Sequence, residues 1–212
     1  MQSFPVAPFE WVSKFDPLKD FDYLYSKKHE GVLSNHHCKL SWELSKKYVG
    51  QFRNAIDIGC RDGEYTHYLY PHFKHVYSFD YRTSPNFPKN VPSDNVTWFV
   101  TGLSNKQETV MASGGGQLNN LSGPKKHFTT TLYPLDAFGF TDVDYIKIDT
   151  DGYEMKIVEG AIETLTNNDP VLVIEQGYFD KKEAMQYCID KLGYKHVATC
   201  SRGLDHILIK DK

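Results

Sequence analysis

The chain has few cysteines, and they lack the spacings that hold a metal or a disulfide framework. No Cys-x-x-Cys pair occurs, and the four cysteines stand far apart at Cys38, Cys60, Cys188 and Cys200. This scatter excludes a disulfide-stapled secreted domain and a zinc module, and it is typical of thiols that stay reduced inside a cell. We therefore expect a cytoplasmic protein.

Long apolar runs and an excess of positive charge are also missing. No apolar stretch approaches the ~20 residues of a membrane-spanning helix. The net charge is −3, from 24 Lys and Arg against 27 Asp and Glu, which argues against a nucleic-acid partner and against binding to a membrane surface. The 212 residues are 40% hydrophobic, enough for one soluble domain with a sizeable core.

A third absence is the Gly-x-Gly-x-x-Gly loop that holds the pyrophosphate of a dinucleotide. The corresponding stretch here is Gly59-Cys60-Arg61-Asp62-Gly63, directly after the apolar run 55–58. Such a strand followed by a glycine turn lets a ligand approach the backbone, so we predict that Gly59 and Gly63 contact a cofactor. The Asp62 carboxylate, where a phosphate would lie, favours a ligand with a cationic centre. S-adenosylmethionine has such a centre and also an amino group.

A second acidic strand end follows about 20 residues later. The run Val76-Tyr-Ser-Phe79 ends on Asp80, whose carboxylate is predicted to accept hydrogen bonds from ribose hydroxyls. Tyr81 is a candidate for stacking on adenine, with core packing as the alternative. Asp57 would contact either the amides of the turn or the ammonium of the methionine moiety. The pattern predicts a nucleoside cofactor.

Apolar runs alternate with helical patterns along most of the chain. Strands are predicted at 55–59, 75–80, 96–100, 144–149, 171–175, 195–199 and 205–210, and helices at 36–48, 63–70, 152–165 and 180–192. This alternation predicts a Rossmann-like α/β fold with a doubly wound, mostly parallel sheet. We expect an aromatic arm over 1–33, suited to a homodimer contact, and one domain over 34–212. Within it, 101–144 would form a hairpin-like excursion whose loop 113–127 is a candidate substrate lid.

Four predicted strands end on acids, and ligands of such sheets lie beyond these ends. The four are Asp57, Asp80, Asp149 and Glu175. Asp149 is the first candidate for the reacting end, where its carboxylate would orient an acceptor hydroxyl or accept its proton, typically a ~10²–10⁴-fold effect. Asp151 is a second catalytic candidate, but Asp151-Gly-Tyr-Glu154 also has the spacing of a helix capping box.

A metal site is not predicted. Asp149-Thr-Asp151-Gly starts like a calcium loop, but no glutamate follows at the EF-hand distance. A single divalent cation on Asp149, Asp151 and Glu175 is a minority alternative. Lys147, between apolar neighbours, either extends to solvent or pairs with an acid at the strand ends.

These segments resemble the FkbM family of S-adenosylmethionine-dependent methyltransferases, over roughly residues 54–209. The most specific segment is Asp144-Tyr-Ile-Lys-Ile-Asp-Thr-Asp-Gly152; Ala55-Ile-Asp-Ile-Gly59 and Gly102-Leu-Ser104 also match. The resemblance implies S-adenosylmethionine as cofactor, with contacts at the Cys60 and Gly102 positions. It also implies O-methylation of a sugar or another small-molecule hydroxyl.

The chain departs from the family pattern at three places. Cys60-Arg61-Asp62 stands where the family usually has Ala-Asn, and Asp80 and Asp151 stand where it usually has Glu. The first change alters the loop at the methionine end of the cofactor. Two other functions therefore stay open, namely a non-catalytic nucleoside-binding module and an NAD-dependent oxidoreductase. The missing Gly-x-Gly speaks against the oxidoreductase.

Overall fold

The computed structural model describes residues 38–113, 127–176, 183–200 and 204–211. The predicted arm over 1–33 lies outside these residues, and so does the predicted lid loop apart from positions 113 and 127. The domain boundaries and the dimer contact therefore stay predictions.

Seven strands form the central sheet, in the order β3-β2-β1-β7-β8-β10-β9. They are β1 (Asn54–Ile58), β2 (His75–Asp80), β3 (Val96–Val100), β7 (Val143–Ile148), β8 (Val171–Glu175), β9 (Lys195–Cys200) and β10 (Asp205–Ile209). Neighbours pair in parallel, except that β10 runs antiparallel to both β8 and β9. The predicted mostly parallel α/β sheet is confirmed.

Six short α-helices connect the described strands. They are α1 (Cys38–Ser45), α2 (Thr66–Leu69), α3 (Phe87–Asn90), α4 (Glu154–Glu159), α5 (Ile162–Asn168) and α6 (Glu183–Leu192), with 3₁₀ turns at Lys46–Tyr48 and Leu135–Phe138. None of the helices in the described ranges is long and apolar enough to cross a membrane.

The core has two layers because strand side chains alternate between the faces of the sheet. In β8, Val171 and Val173 pack in a cluster with Trp42 of α1. The intervening Leu172 and Ile174 pack with Leu165 of α5 on the other face. The sheet is thus covered on both sides, as its continuous apolar runs indicate.

A second sheet lies between β3 and β7 in the chain. Its strands β4 (Gly102–Leu103), β5 (Glu108–Ser113) and β6 (His127–Tyr133) have the order β4-β6-β5. Strands β5 and β6 pair antiparallel, from Glu108 opposite Leu132 to Ser113 opposite His127. This small sheet brings Gly102 to the edge of the cavity described below.

The predicted single helix over 152–165 is wrong, because the helix is broken between α4 and α5. At the break, a Cβ on Gly160 would lie 2.1 Å from the carbonyl oxygen of Ser104. The Gly160 carbonyl also accepts the Asp136 N–H at 2.9 Å. The backbone of the break therefore packs directly on the segment that follows β4. For the other three predicted helices, the comparison covers the residues that the structure describes. There the predicted ends differ from the observed ends by up to three residues.

We expect Gly160→Ala to lower the free energy of unfolding by about 1–3 kcal/mol, because the added methyl meets backbone that cannot rotate away. Urea unfolding measures this. The control is Gly139→Asn, since Gly139 has a left-handed φ of 64° and open space around it. Asparagine tolerates that conformation, so the control should stay within about 0.5 kcal/mol of wild type. Equal stability of both variants would contradict the close packing.

Candidate functional site

An open cleft lies at the carboxyl ends of β1, β2 and β7. The empty space of this cleft, including its opening to solvent, is about 800 Å³. Segments 58–61, 79–82, 101–103 and 149–151 contribute most of its walls. Seven of the nine predicted site residues line it: Gly59, Cys60, Asp80, Tyr81, Gly102, Asp149 and Asp151. Asp57 and Gly63 do not.

Gly59 joins the end of β1 to the segment that follows β7. Its φ is +90°, and a Cβ there would lie 1.7 Å from the carbonyl oxygen of Asp149. Its N–H and that of Cys60 both donate to the Phe79 carbonyl, at 2.8 and 3.0 Å. Only glycine fits this position, so the turn is built around a backbone contact between the two walls of the cleft.

Gly63 lies in the same turn, on the side that faces away from the cleft. Its φ is +94°, and a Cβ there would lie 2.5 Å from Val91, a residue that packs with Cys60 and Phe87. The Gly63 N–H donates to the Cys60 carbonyl at 2.6 Å. The structure therefore places Gly63 in the packing of α3 against the turn, away from the cleft.

Asp57 points to the start of α2. Its carboxylate accepts a hydrogen bond from the Thr66 hydroxyl at 2.6 Å, and that hydroxyl also lies 2.8 Å from the Ser78 hydroxyl. In the structure the hydrogen-bond partner of the Asp57 carboxylate is thus the Thr66 hydroxyl, whereas the sequence predicted either the amides of the turn or the ammonium of a ligand. Burial raises the pKa of Asp57 to about 7, although the Thr66 hydrogen bond and the Lys147 charge oppose the rise.

Asp80 connects two loops at the rim. One carboxylate oxygen accepts the Arg61 N–H at 2.9 Å, and the other accepts the Arg82 N–H at 2.9 Å. The Arg82 guanidinium lies 3.4 Å away as an ion pair. Each oxygen accepts more than one hydrogen bond, so capacity remains for the predicted ribose hydroxyls.

Asp149 belongs to a group of four charged or ionisable side chains at the ends of three adjacent strands. The Lys147 ammonium lies 3.3 Å from the Asp149 carboxylate and 3.0 Å from that of Asp205 on β10. The sequence left open whether Lys147 extends to solvent or pairs with acids. Because Lys147 is only 2% exposed, the second alternative is the one observed. Glu175 ends β8, and the parallel register of β7 and β8 places it beside Asp149. The Asp149 side chain is 39% exposed and faces the cleft.

The two carboxyl groups of this cluster have opposite pKa shifts. Asp149 is only partly buried, and the rise in its pKa from burial is outweighed by the Lys147 charge and by interactions with Glu175 and Lys147, which hold that pKa below its usual value. Burial, followed by the Asp149 charge, raises the pKa of Glu175 well above its usual value. These opposite shifts favour a proton on Glu175 and a negative charge on Asp149.

Asp151 is exposed, with a left-handed φ of 56°. The predicted capping box is wrong, because α4 has Tyr153 as its N-cap and begins at Glu154. The Glu154 carboxylate accepts the N–H groups of Thr150 and Gly152, each at 3.0 Å. Glu154 thereby holds the 149–152 segment in place and leaves Asp151 at the cleft wall.

Sequence reasoning chose the wrong carboxylate in the glycine turn. Asp62 accepts from the Ser84 hydroxyl and does not line the cleft. Glu64 does line it, paired with Arg61, whose Nε lies 2.8 Å from a Glu64 carboxylate oxygen. The i, i+3 spacing of Arg61 and Glu64 at a helix start was the available signal.

The minority metal alternative finds no support in the geometry. Among the residues that the structure describes, no group of three or more His, Cys, Asp or Glu side chains could hold a metal ion.

A comparison with protein families matches residues 43–196 to the methyltransferase FkbM domain. Among solved structures, the methyltransferase FkbM from Methylobacillus flagellatus is 14% identical, with a TM-score of 0.56, over 91% of this chain and 58% of that one. The chain thus spans less than two thirds of that relative. No curated protein matches.

Two further solved structures cover nearly equal lengths. A methyltransferase from Geobacter sulfurreducens is 10% identical, with a TM-score of 0.53, over 94% of this chain and 91% of its own. An rRNA methylase from Streptococcus thermophilus is 14% identical, with a TM-score of 0.51, over 82% and 95%. At these identities the likeness shows the fold alone.

We expect Asp57 to make stability pH-dependent. Because its pKa is raised in the folded state, its contribution is fully present below about pH 4 and is lost as the pH rises to about 7. The free energy of unfolding should fall by up to about 4 kcal/mol over this range through Asp57. Urea unfolding at several pH values should show a flatter profile for Asp57→Asn.

The matched variant is Thr66→Val, which removes the hydrogen bond that lowers the pKa of Asp57. It should extend the pH-dependent loss of stability to higher pH. If the pH profile of Asp57→Asn were superimposable on that of wild type, the pKa of this carboxyl would not be raised in the folded protein.

Proposed function

Since this chain belongs to the FkbM methyltransferase family, we propose that it transfers a methyl group from S-adenosylmethionine to a hydroxyl of a small-molecule or sugar acceptor. One observation carries the proposal. The acids that end β2 and β7, Asp80 and Asp149, line one cleft on either side of the glycine contact at Gly59. A ligand with a ribose at one end and a cationic centre further along fits this arrangement.

The residues of the cleft match the parts of that cofactor. Asp80 has free acceptor capacity for ribose hydroxyls, and Tyr81 and Gly102 form the adjoining wall for adenine. Arg61 and Glu64 present one positive and one negative group, the complement of the carboxylate and ammonium of an amino acid. Bound there, S-adenosylmethionine would supply an electrophilic methyl group on a positively charged sulfur.

Asp149 is proposed to act at the acceptor end. Lys147 and Glu175 keep its carboxylate ionised and fixed in direction, so it accepts a hydrogen bond from an incoming hydroxyl. Correct placement of the reacting oxygen supplies much of the rate enhancement in such reactions. Asp151 is the second catalytic candidate, since it lines the cleft at the same end.

Two other functions use the same cleft. An NAD-dependent oxidoreductase is disfavoured because the turn after β1 lacks the Gly-x-Gly-x-x-Gly spacing that holds a pyrophosphate. A non-catalytic nucleoside-binding module would have the same cleft and would bind the same cofactor. It would differ in activity, because no acceptor would cause the bound S-adenosylmethionine to be converted to S-adenosylhomocysteine.

The proposal is tested by calorimetric titration with S-adenosylhomocysteine, beside NADH. We expect micromolar binding of the first ligand alone. Asp80→Asn should weaken it by about 10- to 100-fold, because a hydrogen bond to a charged group contributes about 1.5–3 kcal/mol.

The control is Asp144→Asn, which removes a buried carboxylate at the other end of β7. Asp144 pairs with Arg53 outside the cleft, so this variant should bind S-adenosylhomocysteine as wild type does. A folded protein that binds neither ligand, or that prefers NADH, would overturn the proposal.

A further inference from the structure

Two carboxyl groups lie at the carboxyl ends of the neighbouring strands β7 and β8, and one of them, that of Asp149, lines the cleft. Asp149 directly follows β7, and Glu175 ends β8. The parallel register of the two strands pairs Ile148 with Ile174, so it brings the next residues, Asp149 and Glu175, side by side. Two ionised carboxylates repel at this distance, whereas a carboxylate and a carboxylic acid attract. In the absence of a further positive charge, this proximity favours one proton on the Asp149–Glu175 pair.

Among the described residues, the ammonium that forms ion pairs with these carboxyl groups is that of Lys147, which is shared between Asp149 and Asp205. One positive charge does not balance three ionised carboxylates. With one proton on the pair, Lys147, Asp149, Glu175 and Asp205 together carry a single negative charge. In the part of the chain that the structure describes, further titratable or charged groups that act on the pair are Asp57 on β1, Cys38 on α1, and Arg61 and Asp151 at the cleft.

We propose that the Asp149–Glu175 pair holds one proton in the free protein and releases it when a sulfonium ligand binds in the cleft. The empty position on the pair then takes the proton of the acceptor hydroxyl during methyl transfer. This inference rests on the proposed function, because it places the sulfonium beside Asp149.

The charge of the bound ligand controls the proton affinity of the pair. A positive charge within ~4–6 Å lowers the pKa of a carboxyl group by about 1–3 units. During transfer a carbon–oxygen bond forms while a carbon–sulfur bond breaks, and the sulfur keeps the electron pair. The positive charge is then gone, the proton affinity of the pair returns, and the hydroxyl proton moves onto the pair. The one proton produced per turnover thus leaves the protein when the donor binds.

The test is proton release on binding, measured by calorimetry at pH 8 in phosphate and in Tris, buffers with different ionisation enthalpies. S-adenosylmethionine and the uncharged-sulfur product S-adenosylhomocysteine are compared on wild type and Glu175→Gln. Since the ligand's own amino group titrates near pH 8, the deciding quantity is the difference between the two proteins. We expect wild type to release up to about one proton more than Glu175→Gln with S-adenosylmethionine, and no such excess with S-adenosylhomocysteine.

A second variant keeps the test valid if Glu175→Gln unfolds, as thermal unfolding would reveal. Asp149→Asn removes the other half of the pair and should abolish the same excess. The matched control is Glu108→Gln, a glutamate that bonds Ser104 outside the cleft, and it should release protons as wild type does.

The outcomes separate the two proposals. Failure of both ligands to bind would sink the proposed function. Binding of both with the same proton release in wild type and Glu175→Gln, or an equal excess for both ligands, would overturn the proton-sharing pair alone.

Discussion

A buried ammonium group, that of Lys147, is the constraint on which the centre of this fold depends. A charge that is 2% exposed is tolerated only when carboxylates surround it. Its partners come from three strands, and the register of β10 explains how. Asp205 begins β10 directly opposite Glu175, the last residue of β8. Only an antiparallel strand brings its first residue to the end where its parallel neighbours finish, so the one reversed strand of the sheet completes the charge cluster.

The second constraint is the backbone contact between Gly59 and Asp149. It fixes the turn after β1 against the segment after β7 without any side chain between them. The Asp149 N–H also donates to the Ile58 carbonyl at 2.9 Å. The proposed cofactor end and the proposed acceptor end are thus parts of one rigid edge, held by Gly59 on one side and by Lys147 on the other. The Glu154 carboxylate accepts N–H groups of the 149–152 segment and so fixes the conformation of the backbone that follows Asp149.

The sequence predicted those features of the structure that depend on local patterns of residues. Continuous apolar runs located every strand of the main sheet to within one residue, and the acids at strand ends indicated the cleft. Three features depend on contacts that are distant in sequence. The helix break at Gly160 follows from its contact with Ser104. Glu64 lines the cleft and Asp62 does not, in a turn where Arg61 has a left-handed φ of 47° that the local pattern does not predict. Asp205 escaped notice because the register of β10 is a tertiary property.

The central claim is that the strand-end acids and the glycine turn form one binding edge for S-adenosylmethionine. A crystal structure of the protein with S-adenosylhomocysteine tests this most directly. The expected result is a ligand whose ribose hydroxyls bond the Asp80 carboxylate and whose sulfur lies at the Asp149 end of the cleft. A ligand bound elsewhere on the protein, or one whose sulfur points away from Asp149 and Glu175, would contradict it.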